Sequence, residues 1–424
     1  MLVFLLQKGE RNYERRTKMS KFQVDLSVGN DNGNSEHDII INGDIIRQPN
    51  VFSIIRKLPN LEELNEEWFI SNIEDNLITS ISTPILNNGT PSTYYIGNYA
   101  VKSGSLLRNI EVGAFNSKLD SDIPIVNTLS QLAGYAVKKV YLEDLEGKET
   151  NKVIEKINVN ADMTTALPVT QYNHKTGKIF AAKFLDYTHK VTVHLPTKSI
   201  EVIISFNYVK VLPESIPVIF YLQGIQEGDP IIHNFNEQYN LNVNGEYFKG
   251  KRILHVAIGE GTTEYPLTED IRFNPNFIEG SNNGIGHAIE SILSDFIKTK
   301  HLVKFSRQDY SIAIKDSTNR NHEDAVTMLE IPLEEQAETI LRYMKKEVAK
   351  ANNDVDIICV HGGGSIPMRD FIYKDLIAFC NAIGTKALYI PSEKAVTLEA
   401  LGMYEFTIGP IFQALKEKYM NQKE

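Results

Sequence analysis

The sequence predicts an α/β protein of two or more domains, and three observations carry that expectation. Apolar strand patterns alternate with longer helical stripes along the chain. Its 424 residues exceed what one hydrophobic core usually organises. Three glycine-bearing turns, at 31–35, 259–263 and 361–365, each follow an apolar strand.

The elements follow in chain order. The apolar run 2–6 is too short for a signal-peptide core and has no basic segment before it, so 1–19 reads as a disordered N-terminal extension. Residues 22–28 (FQVDLSV) pattern as a strand with a hairpin partner at 38–42. Between them lie glycine, asparagine and aspartate, which tolerate positive φ. Strand patterns recur near 77–82 and 93–97. Ile125, Leu129, Leu132, Ala133, Ala136 and Val140 keep helical spacing over 125–142. Segments 152–160, 177–194 and 200–212 alternate or are β-branched, and read as strands. Pro213 closes that run, and a short helix is expected after it. The polar stretch 225–250 reads as an excursion between domains, with a hairpin turn at Asn244-Gly245. A strand at 252–258, the turn 259–263 and a second strand come next. Helical stripes then occupy 285–297, 333–348 and 366–380, with strands at 355–360 and 386–390 and a last helix at 407–421. The strand–turn–strand at 22–42 is echoed at 252–268.

Composition narrows the function. A 42% hydrophobic content supports a real core, and a net charge of −10 disfavours direct binding to nucleic-acid phosphates. The two cysteines, Cys359 and Cys380, sit in apolar stretches, as buried thiols in a reducing cytoplasm would. No stretch approaches the roughly 20 apolar residues of a membrane span.

The chemistry lies in the three turns. They are Asp31-Asn32-Gly33-Asn34-Ser35, Gly259-Glu260-Gly261-Thr262-Thr263 and His361-Gly362-Gly363-Gly364-Ser365. Glycine lets backbone N–H groups converge on an anion, and hydroxyls add donors. Two facing hairpin turns can clamp a polyphosphate, while a turn opening a helix can back a sugar or base. Each turn alone is more often structural; their order along one chain is the stronger signal. His255 and His361 have no partners at metal-ligand spacing and read as core histidines.

Two phosphate-binding hairpins followed by a Gly-Gly-Gly loop resemble the superfamily of actin, sugar kinases and heat-shock chaperone ATPases. Val209-Lys210-Val211-Leu212-Pro213-Glu214-Ser215-Ile216-Pro217 is similar to the catalytic-glutamate segment of the ParM-type plasmid-partitioning actins. Asp31-x-Gly33-Asn34, Tyr95-Ile96-Gly97 with Ala100, Gly261-Thr262-Thr263 and Asn283-Gly284-Ile285-Gly286 agree with that family. The resemblance covers roughly 20–424, is thin over 44–200 and is absent over 225–250.

The resemblance implies two ribonuclease-H-like domains of the actin fold with a nucleotide cleft between them. Domain I would span 20–222, with a C-terminal helix within 396–424 returning to it, and domain II 223–395. It implies ATP or ADP with Mg²⁺ as cofactors. Glu214 would activate the attacking water, and Asp31 would hold a water of the Mg²⁺ shell. Gly33, Asn34, Ser35, Gly259, Glu260, Gly261, Thr262 and Thr263 would bind phosphates. Asn283, Gly284 and Gly286 would line the nucleotide, and Gly362, Gly363, Gly364 and Ser365 would contact the adenosine. The structural alternatives are a helix cap for Glu214 and an Asx-turn residue for Asp31.

Two positions depart from the family. Ala257 stands where an aspartate usually helps hold the metal waters, with Glu260 a candidate replacement. Asp38 stands where actin has a phosphate-pairing lysine, and is expected to point away from the phosphates. By resemblance the protein is a cytoplasmic ATP hydrolase that forms head-to-tail filaments and segregates plasmid DNA through a DNA-binding adaptor of the ParR type, touching neither nucleic acid nor membrane itself. The rivals are a filament that hydrolyses little and a small-molecule kinase of the same superfamily.

Overall fold

A computed structural model describes residues 22–61, 64–110, 117–146 and 154–422. The expected extension 1–19 lies outside the described residues.

Two sheets are built on one plan. In the first, the long strand β1 (Phe22–Asn32) pairs antiparallel with β2 (Glu36–Ile41), which pairs with β3 (Asp44–Pro49). On its other side β1 runs parallel to β7 (Lys156–Leu167), and β7 parallel to β9 (Ser199–Pro213). Four antiparallel neighbours continue past β9: β8 (His189–His194), β5 (Ile78–Ser82), β6 (Ser92–Ile96) and β4 (Phe52–Ile55).

The second sheet repeats the plan. Strand β10 (Arg252–Ile258) pairs antiparallel with β11 (Thr263–Glu264) and β12 (Leu267–Glu269), and β13 (Arg272–Phe273) follows β12. A two-residue strand, β14 (Gly280–Ser281), flanks β11. Parallel to β10 lies β15 (Ile357–His361), and parallel to β15 lies β16 (Lys386–Tyr389). The orders β3-β2-β1-β7-β9 and β13-β12-β10-β15-β16 are therefore the same. The echo in the sequence is a structural repeat.

Alternation along the strands decides which helices cover them. Val24, Leu26 and Val28 face the helices Ile123–Glu146 and His174–Leu185 in one core. Gly29 faces the other way. A Cβ there would lie 2.4 Å from Ala400 O and Tyr404 N, so glycine allows helix Leu398–Ile408 to touch the sheet. Thr407 Oγ1 fixes that contact, donating to Val28 O at 3.0 Å. In β10, Leu254, Val256 and Ile258 face the helices Ile285–Thr299, Arg307–Lys315, His322–Lys350 and Ser365–Ile383. Ile253 faces the opposite core, built with helices Val218–Gly224 and Pro230–Tyr239. Both cysteines are buried free thiols. Among the described residues, no helix is long and apolar enough to cross a membrane.

Three expectations need correction. The strand over 177–194 is helix His174–Leu185 followed by β8. Asn173 caps that helix by accepting from the Lys175 and Thr176 N–H groups, and Phe180 and Phe184 form one buried stripe. The excursion 225–250 holds helix Pro230–Tyr239, and Asn244 caps a 3₁₀ turn at Gly245–Phe248 in place of a hairpin. The last helix is two, Leu398–Ile408 and Pro410–Met420, split at Gly409-Pro410 because proline's missing N–H suits a helix start.

Candidate functional site

The two homologous hairpins face each other across a cavity of about 1140 Å³. The register makes their positions equivalent. Asp31 pairs with Asp38 and Asn32 with His37 in the first; Ala257 pairs with Glu264 and Ile258 with Thr263 in the second. Asn50 ties down the first turn, donating from Nδ2 to Gly33 O at 2.6 Å. The second turn closes on itself through Gly259 N–H to Thr262 O at 2.9 Å. Across the gap, Ser35 Oγ donates to Glu260 Oε2 at 3.4 Å.

The third turn abuts the end of β10. Gly362 has φ +91°, and a Cβ on it would lie 2.5 Å from Ile258 O. Gly364 N–H donates to that same carbonyl at 2.9 Å. Beyond this turn the wall becomes apolar, with Val326, Leu329, Leu333, Ile366, Pro367 and Phe371. The cavity wall thus joins glycine turns and charged side chains at one end to a largely apolar stretch at the other, which also carries Glu330 and Asp370.

Of the residues singled out in the sequence, Asp31, Gly33, Asn34, Ser35, Glu214, Gly259, Glu260, Thr262, Gly362, Gly363 and Gly364 line the cavity. Gly261, Thr263, Asn283, Gly284, Gly286 and Ser365 do not; most of these support the wall from behind. Thr263 Oγ1 donates to Asn283 O at 2.8 Å, and Gly286 N–H to Glu260 O at 2.7 Å. A Cβ at Gly284 would lie 2.3 Å from Glu260 O, so the glycines let helix Ile285–Thr299 dock under the turn. Ser365 Oγ donates to Gly362 O at 2.7 Å.

Asp38 is among the residues lining the cavity, and Arg47 Nε from β3 donates to its Oδ1 at 3.0 Å. Arg47 also meets Glu36 at 2.8 Å. Burial, with Glu36 and Asp31 nearby, pushes the Asp38 carboxyl well up despite Arg47. Glu260 pairs with Arg307 at 3.4 Å. Lys315 reaches across the cavity mouth to Glu36.

Glu214 stands just past the end of β9. Its N–H donates to Leu167 O at 2.8 Å, and the next residue, Ser215, has φ +69°. Positive φ is uncommon for serine and marks a tightly held turn. Ser215 N–H donates to Glu399 Oε2 at 3.1 Å, which ties the turn to helix Leu398–Ile408. The Glu214 side chain accepts from Lys118 Nζ at 2.7 Å.

Lys118, Glu264 and Glu399 line the cavity as well, outside the motifs read from the sequence, as do Glu36, Arg47 and Lys315. Glu264 is buried and accepts the Val169 N–H at 3.1 and 3.2 Å, joining the second hairpin to the turn that follows β7. Burial raises its carboxyl, and Glu214 raises it further. Burial likewise raises Glu399, followed by Asp31 and Glu214. Asp31 is pushed up to about 6 by burial, with Lys118 opposing and Glu214 and Glu36 adding. Four carboxyls therefore crowd round one ammonium; burial holds Asp31, Glu264 and Glu399 toward their neutral forms, and a cation entering the site would favour the ionised ones.

Oxygen donors of this kind suit a hard cation. Among the described residues, however, no three potential ligands converge to hold a bare metal ion. Such a set would suit a hard cation held largely through waters.

No family model matches, and no curated protein matches. Solved structures do. Actin-like protein Alp7A superposes with a TM-score of 0.65 at 17% identity, over 95% of this chain and 100% of its own. The chain has the actin fold. Bacillus thuringiensis ParM with ATP gives 0.56 at 16% identity, over 92% and 99% of the two chains. Ta0583, an archaeal actin homolog, gives 0.58 at 14% identity, over 90% and 98%. The two repeated sheets with a cavity between them are the two halves of that fold.

Proposed function

We propose that this chain is an actin-like ATPase that binds ATP with Mg²⁺ in the cavity and polymerises head to tail into filaments. The observation that carries it is the pairing of two homologous glycine-bearing hairpins across one cavity, with Glu214 between them. Bacillus thuringiensis ParM is known with ATP, ADP and AMPPNP, and it shares this fold. The amide-rich end suits a polyphosphate and the apolar end a base.

The residues take the following roles. Gly33, Asn34, Ser35, Gly259, Glu260 and Thr262 face the phosphates. Gly362, Gly363 and Gly364 lie along the adenosine, while Gly261, Thr263, Asn283, Gly284, Gly286 and Ser365 hold the turns in place. Asp31 would hold magnesium through a water, and the metal would supply charge neutralisation at the phosphates. Glu214 orients the attacking water and takes its proton. The water oxygen bonds to the terminal phosphorus as the bridging P–O bond breaks, and ADP leaves with the electron pair.

The domains, 20–222 with 396–424 and 223–395, would close on the nucleotide and so couple its terminal phosphate to filament contacts. A head-to-tail operation that does not close gives an open filament. In this proposal the filament moves plasmid DNA in the cytoplasm through a ParR-type adaptor, which fits the chain's acidic balance.

Electron microscopy of the purified chain with ATP and magnesium, run beside phosphate release, tests the proposal. Filaments with ATP and steady phosphate release are expected; neither, at concentrations where ATP binds, overturns it. Ala257 favours a second reading, a filament that hydrolyses little. Filaments without phosphate release would select that reading. Transfer of the phosphate to a small molecule would select a kinase.

A further inference from the structure

Lys118 is a buried lysine at the cavity wall. It sits on a short helical turn, Ser117–Asp120, and only 3% of its side chain is exposed, yet it lines the cavity. Its ammonium donates to Glu214 Oε1 at 2.7 Å. Burial works against its charge, but Glu214, Asp31 and Glu399 together hold it protonated. Glu264 and His37 lie within its electrostatic reach as well.

The other cations of the cavity are already engaged. Among the described residues, three cationic side chains line it: Arg47, Lys118 and Lys315. Arg47 is committed to Asp38 and Glu36, and Lys315 to Glu36. The first hairpin itself offers the acid Asp38 on its wall where a phosphate would call for a cation. Lys118 alone keeps its ammonium beside Glu214, the carboxylate placed to act on the terminal phosphate. An ammonium has three donors, and Glu214 takes one of them.

We propose that Lys118 supplies the cation that meets the terminal phosphate of a bound nucleoside triphosphate, and that its ion pair with Glu214 exchanges for that contact. This rests on the nucleotide reading above. A carboxylate paired with an ammonium is a poor proton acceptor. A triphosphate brings a denser charge to the same ammonium and draws it off, leaving Glu214 free to take the proton of the water. A diphosphate has no group at that position and leaves the pair intact. One lysine thereby links recognition of the third phosphate to arming of the base.

The test is the ratio of ATP to ADP affinity in the full chain with magnesium, by calorimetry or competition with a fluorescent nucleotide. Lys118→Met is expected to weaken ATP by about tenfold or more, the scale of one charge-assisted contact, while ADP changes little. Glu214→Gln removes the competing partner and is expected to tighten ATP several-fold, again sparing ADP. A merely structural lysine would weaken both nucleotides alike. An unchanged ratio in Lys118→Met, or no tightening in Glu214→Gln, overturns the exchange while leaving ATP binding standing. A wild-type chain that binds neither nucleotide overturns the nucleotide reading and this one with it. If Lys118→Met fails to fold because Glu214 loses its counter-charge, the double variant Lys118→Met with Glu214→Gln removes both charges. It should still show the selective loss of ATP, and an unchanged ratio there overturns the exchange as well.

Discussion

The two hairpins share one topology and differ in what they place at equivalent positions. The first carries Asp31 opposite Asp38, and Arg47 from the neighbouring strand balances the pair. The second carries Ala257 opposite Glu264, and Glu264 accepts the backbone N–H of Val169, in the turn just past the end of β7. The second hairpin is also interrupted at Pro266, between β11 and β12, where an N–H is missing from the ladder. One hairpin thus holds its charge within its own sheet, while the other spends its acid on a bridge to the turn after β7. The difference explains why a site of this charge tolerates alanine at 257: a second aspartate there would face Glu264 directly.

Several substitutions would break or sharpen that contrast. The largest effect is expected at Glu214, the residue between the hairpins. Glu214→Gln should lower phosphate release by about 10²–10⁴-fold, the usual worth of a general base, without loss of ATP binding. A next comparison sets Asp31→Ala against Glu264→Ala. With magnesium titrated at fixed ATP and nucleotide binding as readout, Asp31→Ala should cost about 10–100-fold in apparent metal affinity. Glu264→Ala should cost less, because its oxygens serve Val169. Equal losses would make the hairpins functionally alike.

Ala257→Asp makes the second hairpin like the first. It should destabilise the nucleotide-free chain by about 1–3 kcal/mol, since it adds an unpaired buried acid. Thermal melts should show the loss, and added Mg²⁺ with ATP should recover much of it. The smallest effect concerns His361 beside the third turn. Burial holds its imidazole down to about 3, below the ordinary 6.5. The folded value lies below the unfolded one, so the neutral ring's contribution is complete above pH 6.5 and fades as pH falls toward 3. His361→Asn should therefore flatten the loss of stability between pH 6.5 and 5, by at most about 1.4 kcal/mol per pH unit.

Much of this architecture is legible in the sequence, for local reasons. Alternating apolar residues mark β1 and β10, and helical stripes mark the helices that cover them. Helix His174–Leu185 also left a signal that outweighs the β-like composition, in the Asn173/Thr176 capping box and the Phe180/Phe184 spacing. Asp229-Pro230 with Ile231, Ile232 and Phe235 marks helix Pro230–Tyr239 in the same way. Counting back from the second turn would have placed Glu264 opposite Ala257. Lys118 and Glu399 left no such mark. They reach Glu214 only because elements far apart in the chain meet at the cavity floor, and no local spacing encodes that.

In the proposed function, opposed hairpin turns grip a nucleoside triphosphate with Glu214 at its terminal phosphate. Calorimetric titration of ATP with magnesium into the full chain tests it most directly. Saturable one-to-one binding is expected, abolished when Gly33 or Gly259 is changed to valine in chains that still fold. No heat of binding in the wild-type chain, or undiminished binding in both valine variants, would contradict it.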